Sequence, residues 1–468
     1  MARRISLTYG EGQIDLTFPD GFLAADLIGP KPSREVLDRE EMLRTIDEAL
    51  EKPVGTPRLR EMVAGKRVGL VVSDEFRAGL QTLIADRMMK EIFAGDPISL
   101  DVFIATGSHD PGVYARNLIP AIRNSVDTLG RTVRILPNDC DSGEHIHLGD
   151  TELGSNAEVW KEWLKTEVRV YGHEAKHHYM NGYSVFDKQL CPGLASRRTI
   201  AATHKQALQD RFSAGGRSPY HELESRRRNP FAQDNRLVRQ IADRHLLVGG
   251  RVREVGPLPT FLLDLVSTAR SIDWILSGDP ETVSRRMTKA VDDLAAHVLP
   301  RMRYVVISPG GPPACNALYG VQNCFDLALK FAIEPGGEAL VLAPCLGRPE
   351  LPEEVRGLAP DAKSKALFWD NLVRWLPRSL DEWRKWVEGN FELYLWKTDR
   401  MLKLLLEQRV RLSLYSELPD EKVRSGGFIP VHDPNAWIHD RAARGDGKAL
   451  VIDEGNRVQV IPQDEGTP

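Results

Sequence analysis

One short segment constrains the fold more than any other. Arg67-Val-Gly-Leu-Val-Val-Ser73 follows a Gly-Lys turn and holds no charged residue from Val68 to Val72. Such an apolar run, bounded by a turn, is read as a strand. Leu80, Leu83, Ile84, Met88 and Ile92 then recur at the spacing of one helical face. Ile98, Leu100, Val102 and Ile104 alternate as a strand does and stop at Thr106-Gly107. Residues 132–136 and 167–171 are two further short strands. Strands alternating with helices predict an α/β fold with a parallel-rich sheet. In open sheets of this kind, ligands bind beyond the carboxyl ends of the strands. Asp74 and His109 fall just past two of those ends.

A second unit of the same kind begins near residue 270. Val283, Met287, Ala290, Leu294 and Val298 trace one helical face, and residues 304–308 form a strand running into Pro309-Gly-Gly-Pro-Pro313. A helix over 318–333 and a strand over 338–343 complete a βαβ pattern. With 468 residues, two domains are expected, 1–268 and 269–468, with a cleft between them. Five of the nine tryptophans lie in residues 366–406 on predicted helices. They read as helix-packing core or, alternatively, as a cover over the cleft. Residues 449–452 and 458–461, flanking Asp453-Glu-Gly-Asn456, predict a terminal hairpin.

Composition excludes several classes. The net charge of −4 implies neither a nucleic-acid nor a membrane partner. The basic run Arg226-Arg227-Arg228 reads as solvated surface. The first residues carry positive charge but no apolar core after it, unlike a signal peptide. No apolar run approaches the ~18 residues of a membrane-spanning helix. Five scattered cysteines with no CxxC pair indicate neither a disulfide framework nor a thiolate zinc site. A reducing cytoplasm is the expected compartment.

The densest chemistry lies in His178-Tyr-Met-Asn-Gly-Tyr-Ser-Val-Phe-Asp-Lys188, followed by Pro192-Gly193 and Thr203-His204. Lys188, bracketed by two histidines and a Pro-Gly turn, invites a covalent role. The helix start after Gly193, with Ser196, could hold a phosphate on its N–H groups. His109, in Thr106-Gly-Ser-His109, is poised for proton transfer near neutral pH. Asp74 can orient an imidazole, and Arg77, three residues on, suits a carboxylate or phosphate. His145/His147 and His173/His177 leave a zinc hydrolase open as a third reading.

Together these motifs resemble the nickel-dependent lactate racemase family. The resemblance rests on Asp74-x-x-Arg77, Thr106-Gly-Ser-His109 and the His178-to-Gly193 block with its trailing His204, supported by Asn229-Pro230. It implies a racemase or epimerase of a 2-hydroxy acid or related alcohol, here one larger or less acidic than lactate. It also implies a nickel-pincer nucleotide cofactor: a pyridinium-3-thioamide-5-thiocarboxylic acid mononucleotide carrying nickel. Cofactor-making enzymes would be its suppliers. By position, His204 would be the nickel ligand, and soft sulfur donors with one imidazole suit Ni(II). Lys188 would be the covalent anchor, with Gly193 and Ser196 beside it. His109 and His178 would be the acid/base pair as hydride leaves C2 and returns, with Asp74 and Arg77 assisting.

The chain also departs from the family. Ser184 is followed by Val185-Phe186 where the family commonly has two glycines, which predicts filled space beside the cofactor. In the second unit Tyr319 is kept, but Gly320 and Asn323 stand where a glutamine and a lysine are expected; Gln322 could compensate partly. Tyr319, Gln322, Asn323 and Arg77 are thus the expected substrate contacts, and the substrate is expected to differ from lactate. The alternatives are a non-inverting hydride-transfer oxidoreductase on the same cofactor and a non-catalytic cofactor-binding protein.

Overall fold

The structure, a computed structural model, describes residues 2–31, 36–74, 80–209, 215–268 and 271–463. Two parallel-rich sheets organise it, and the chain is an α/β protein. The first has six strands in the order Ser271–Gly278, Thr260–Thr268, Val168–Ala175, Arg67–Ser73, Ser99–Ala105, Arg134–Pro137. All pair in parallel except Ser271–Gly278, which runs antiparallel at the edge. The second has five strands, all parallel: Ile429–Pro430, Arg411–Tyr415, Ile333–Leu342, Met302–Ile307, Ala449–Ile452.

The apolar runs find their reason in this layering. A central parallel strand is covered on both faces, so both of its side-chain sets must be apolar. Val68, Leu70 and Val72 pack into one core with Ile84 and Met88 of the helix Gln81–Phe93. Val71 points the other way, into a core with Phe103, Trp163 and Tyr171. The second sheet repeats the pattern, with Val305 and Ile307 on one face and Tyr304 and Val306 on the other. Four helices start on one signal, an Asx-Pro pair at Asp110-Pro111, Asn229-Pro230, Asp279-Pro280 and Asp433-Pro434. Each Asx side chain accepts a backbone N–H of the first turn, and proline supplies the first helical φ.

Two sequence expectations are overturned. The terminal hairpin does not form. Ala449–Ile452 instead joins the second sheet parallel to Met302–Ile307, and Gln459–Pro462 pairs in parallel with Ala296–Leu299. The connecting loop explains this. Gly455 and Asn456 donate their N–H groups to Ser308 and Pro309, carrying the chain over the sheet edge instead of folding it back. In addition, the N-terminal ribbon Arg3–Tyr9/Gly12–Phe18, which the sequence alone groups with the first unit, packs on the second sheet. Ile5, Leu7, Leu16 and Phe18 share a core with Tyr304, Val306 and Leu340. Leu23 and Ile28 bridge to Ala449 and Ile452.

Leu7 is fully buried in that core. We predict that Leu7→Ala destabilises the protein by about 2–5 kcal/mol, read from urea unfolding. A loss under ~0.5 kcal/mol, the usual range of surface changes, would mean the ribbon is not part of the cooperative core.

Candidate active site

The cleft forms where the carboxyl ends of the first sheet meet helices of the second unit. Its polar side comes from Ser73, Asp74, Thr106 to His109, His178, Lys188, Gln189, Gly193 and His204. Its apolar side comes from Tyr179, Met180, Tyr319, Leu393, Tyr394 and Trp396. Asp74, His109, His178, Lys188, Gly193, His204 and Tyr319, far apart in sequence, thus share one cavity. Arg77 lies outside the described residues.

His109 sits on the turn after the Ser99–Ala105 strand. Gly107 there has φ +57° and donates its N–H to the Gly193 carbonyl, joining this turn to the lysine-bearing one. His109 Nδ1 lies 2.6 Å from Asp74 Oδ2. The buried carboxylate accepts a hydrogen bond from Nδ1–H, which fixes the tautomer and puts the lone pair of the neutral ring on Nε2.

His178 has the opposite tautomer. Its Nδ1 accepts the N–H groups of Met180 and Asn181 at 3.2 and 3.1 Å. The neutral ring therefore carries its proton on Nε2 and donates it to Lys188 Nζ at 2.6 Å, a contact that requires that nitrogen to be the unprotonated amine. The short ribbon His177–His178/Gly182–Tyr183 holds this geometry. Asn229 fixes it from outside, donating to the Met180 and Arg217 carbonyls while capping the helix Pro230–Ala242. Underneath, Tyr183 and Arg226 both donate to Asp292 at 2.7 Å. The basic run is thus not wholly solvated: Arg226 braces the ribbon, because the buried Asp292 carboxylate needs a cation.

Lys188 is nearly buried, on the helical turn Asp187–Leu190. That turn is anchored by Asp187, which accepts from Arg239 and Tyr220 at 2.8 Å each. Val185 and Phe186 do not fill the cleft as expected. They enter the hydrophobic core with Tyr171 and Leu190, because the chain turns inward before the lysine. Gly193 has a steric reason: a Cβ there would meet the Gln189 carbonyl oxygen at 2.0 Å and the Ala105 side chain at 2.6 Å.

His204 lies in the last turn of the helix Arg197–Lys205. Its Nδ1 donates to the Ile200 carbonyl at 2.7 Å, leaving Nε2 as a lone-pair donor. Burial lowers its pKa to about 3, so the ring is neutral. Ser196, at the other end of the same helix, is not brought into the cleft. Its hydroxyl accepts from Thr199 N–H and donates to Glu158 at 2.7 Å. A carboxylate therefore already faces that helix start, where a phosphate was expected.

Gln322 and Asn323 stand behind the wall instead of lining it. Their side-chain oxygens accept from Lys397 Nζ at 2.9 Å each, and the Tyr319 carbonyl accepts at 2.8 Å. The cation missing at position 323 is thus met by an ammonium from the helix Leu395–Leu402. Sequence reasoning missed Lys397, and also Tyr179, Tyr394 and Trp396; the tryptophan-rich stretch was the available signal. Trp369, Trp375 and Trp383 are core, whereas Trp396 also lines the cleft.

The remaining histidines do not make a zinc centre. His145 bonds to Gly143 and Asn138, and His147 to Asp150. His173 lies between Asp264 (2.9 Å) and Ser184 (3.2 Å), all three fully buried and outside the cleft. Among the described residues, no group of three or more His, Cys, Asp or Glu side chains could hold a metal. No helix among them is long and apolar enough to cross a membrane.

Fold and cleft define an α/β protein whose site pairs two tautomerically fixed imidazoles with a buried lysine. Residues 9–215 match the lactate racemase N-terminal domain family. Lactate racemase of Thermoanaerobacterium thermosaccharolyticum is 22% identical over 345 residues, covering 73% of this chain and 74% of that protein. Lactate racemase of Lactiplantibacillus plantarum is 22% identical over 203 residues, 43% of this chain and 46% of that protein. The apoprotein structure of the Thermoanaerobacterium lactate racemase aligns with a TM-score of 0.76 at 20% identity, covering 98% of this chain and all of that one. A Thermotoga maritima protein aligns with a TM-score of 0.60 at 12% identity over 92% of this chain. The chain is thus similar to lactate racemases, its residues 9–215 matching their N-terminal domain and its fold matching one of them across the chain.

Burial lowers His177 to about 4 and His204 to about 3. Both lie below the ordinary value of ~6.5. Between those values the unfolded chain binds protons that the folded chain does not, so stability is full above ~6.5 and lost as pH falls. Urea midpoints of the metal-free protein are predicted to drop from about pH 7 to about pH 4.5. The His204 ring resonance should stay flat across that range; a midpoint for it near ~6.5 would contradict the buried neutral ring.

Proposed function

We propose that this protein is a racemase or epimerase of a 2-hydroxy acid other than lactate, working on a nickel-pincer nucleotide. The observation that carries the reading is that His109 and His178 face one cleft with complementary tautomers. One offers a lone pair at Nε2 and the other a proton at Nε2. Inversion through a planar carbonyl needs such a pair, one group for each face.

The donor set fits the cofactor. A neutral imidazole at His204 is one metal donor, and the described residues hold no protein cage around it. That suits a nickel ion whose other donors come from an organic group. His204 Nε2 would be the protein ligand and Lys188 Nζ the anchor. When bound, the nucleotide supplies the acceptor for the C2 hydrogen and its electron pair.

The protein's own residues manage the proton. His109 Nε2 takes the substrate hydroxyl proton, and Asp74 stabilises the imidazolium that forms. His178 Nε2 would return a proton to that oxygen from the opposite face. Lys188, 2.6 Å from that atom, orients it. The wall of Tyr179, Tyr319, Leu393, Tyr394 and Trp396 excludes water from the carbonyl stage.

The test is a chiral assay on protein co-expressed with the cofactor-making enzymes, together with intact mass and metal analysis. His109→Ala and His178→Ala are each predicted to lower kcat by about 10²- to 10⁴-fold with nickel retained. Turnover surviving in the double variant would overturn these roles. Oxidation without inversion would favour an oxidoreductase instead.

A further inference from the structure

We propose that Lys397 is the positioning cation for an anionic substrate. It is a buried ammonium behind the aromatic wall that gives the cleft its preference for a carboxylate without touching it. The proposal rests on the hydroxy-acid reading above and goes beyond it by assigning the charge on the second-unit side.

Lys397 is fully buried. A buried charge is retained only where its surroundings compensate it, and here the compensation is directional. All three hydrogen-bond acceptors lie on one stretch of the helix Leu318–Cys324: Tyr319 O, Gln322 Oε1 and Asn323 Oδ1. These oxygens are neutral, so they solvate the ammonium and leave its charge uncancelled. Its other neighbours are ring faces, with Nζ 4.1 Å from the Tyr319 centroid, 4.8 Å from Trp396 and 5.2 Å from Tyr179. All three rings line the cleft. Tyr179 in turn stacks on the His178 ring at 4.3 Å. The charge therefore stands one aromatic layer behind the reacting groups.

Among the described residues, Asp326 is the carboxylate that acts on Lys397, and it is divided with Arg400 at 3.3 Å and Lys330 at 3.2 Å. Asp399 on its own helix is paired with Lys403 at 2.7 Å. The three acceptors that Lys397 bonds are neutral oxygens, not the Asp326 carboxylate. A unit charge within about 8 Å, in a low-dielectric setting, is worth roughly tenfold or more in anion affinity.

Burial lowers the Lys397 pKa to about 7, with Asp326 opposing the shift and Arg400 adding to it. The ammonium is present below that value and lost above it, so anion preference should fall as pH rises through 7. Other ionisable side chains, Asp74, His109, His178 and Lys188 among them, line the same cleft, so the wild-type slope alone does not isolate Lys397. An arginine at 397 does, because it stays charged.

The experiment is calorimetric titration of the cofactor-loaded full-length protein with paired 2-hydroxy acids and their primary amides (lactate, 2-hydroxybutyrate and 3-phenyllactate). It is run about one pH unit below and about one and a half above the Lys397 value of about 7, at about pH 6 and about pH 8.5. The wild type should prefer acid over amide by about tenfold at the lower pH and lose most of that at the higher one. Lys397→Arg should keep the preference at both. Lys397→Met should lose it at both, raising KM about tenfold with kcat changed much less. An unchanged acid preference in Lys397→Met would overturn the proposal. So would no acid preference in any wild-type pair, or the same pH slope in Lys397→Arg as in the wild type. Should the Met variant fail to fold, the wild-type and Arg comparison decides the matter. Acid preference without any inversion of configuration would sink the racemase reading and leave Lys397's role standing.

Discussion

The parallel strand that must be covered on both faces is the constraint from which the rest follows. It forces Val68 to Val72 to be apolar on both sides, and polar chemistry is left to the carboxyl edge, where backbone groups are unpaired and turns are short. Asp74 and His109 stand at that edge, just past the strands ending at Ser73 and Ala105, whereas the buried His173 inside the sheet needs the Asp264 carboxylate beside it. The second sheet obeys the same rule, and the two units enclose a cleft with one polar and one aromatic side.

The histidine ribbon shows how much structure a two-residue element can require. His177–His178 pairs with Gly182–Tyr183 over only two register positions, far too little to stand alone. Its stability comes from polar groups arranged around it: Asn229 on one side, and Asp292 with Tyr183 and Arg226 beneath. Each buried charge in that set has an opposite partner, as burial demands. The consequence is chemical, since the same turn directs two backbone N–H groups at His178 Nδ1 and so fixes which nitrogen of the neutral ring carries the proton.

Most of the first-unit site was legible in the sequence. Local spacing placed His109 and Asp74 after strands, and the block from His178 to His204 kept its order and its turn. What failed did so for tertiary reasons. Ser196 reads as a phosphate-holding helix start, but Glu158, distant in sequence, occupies it. Val185 and Phe186 read as obstacles in the cleft, but the core claims them. Residues 449–461 read as a hairpin because alternation cannot tell an antiparallel partner from a parallel one.

By itself, the sequence determined the α/β class, the strand-end positions of Asp74 and His109 and the block that carries Lys188 and His204. Those features depend on periodicity and on turns only a few residues long. Only the tertiary structure decided which nitrogen of each histidine carries its proton, that the N-terminal ribbon belongs to the second core, and that Asn323 accepts from the ammonium of Lys397, 74 residues away. Tautomers, packing partners and buried charges are set by neighbours across space, and no local pattern in a chain records them.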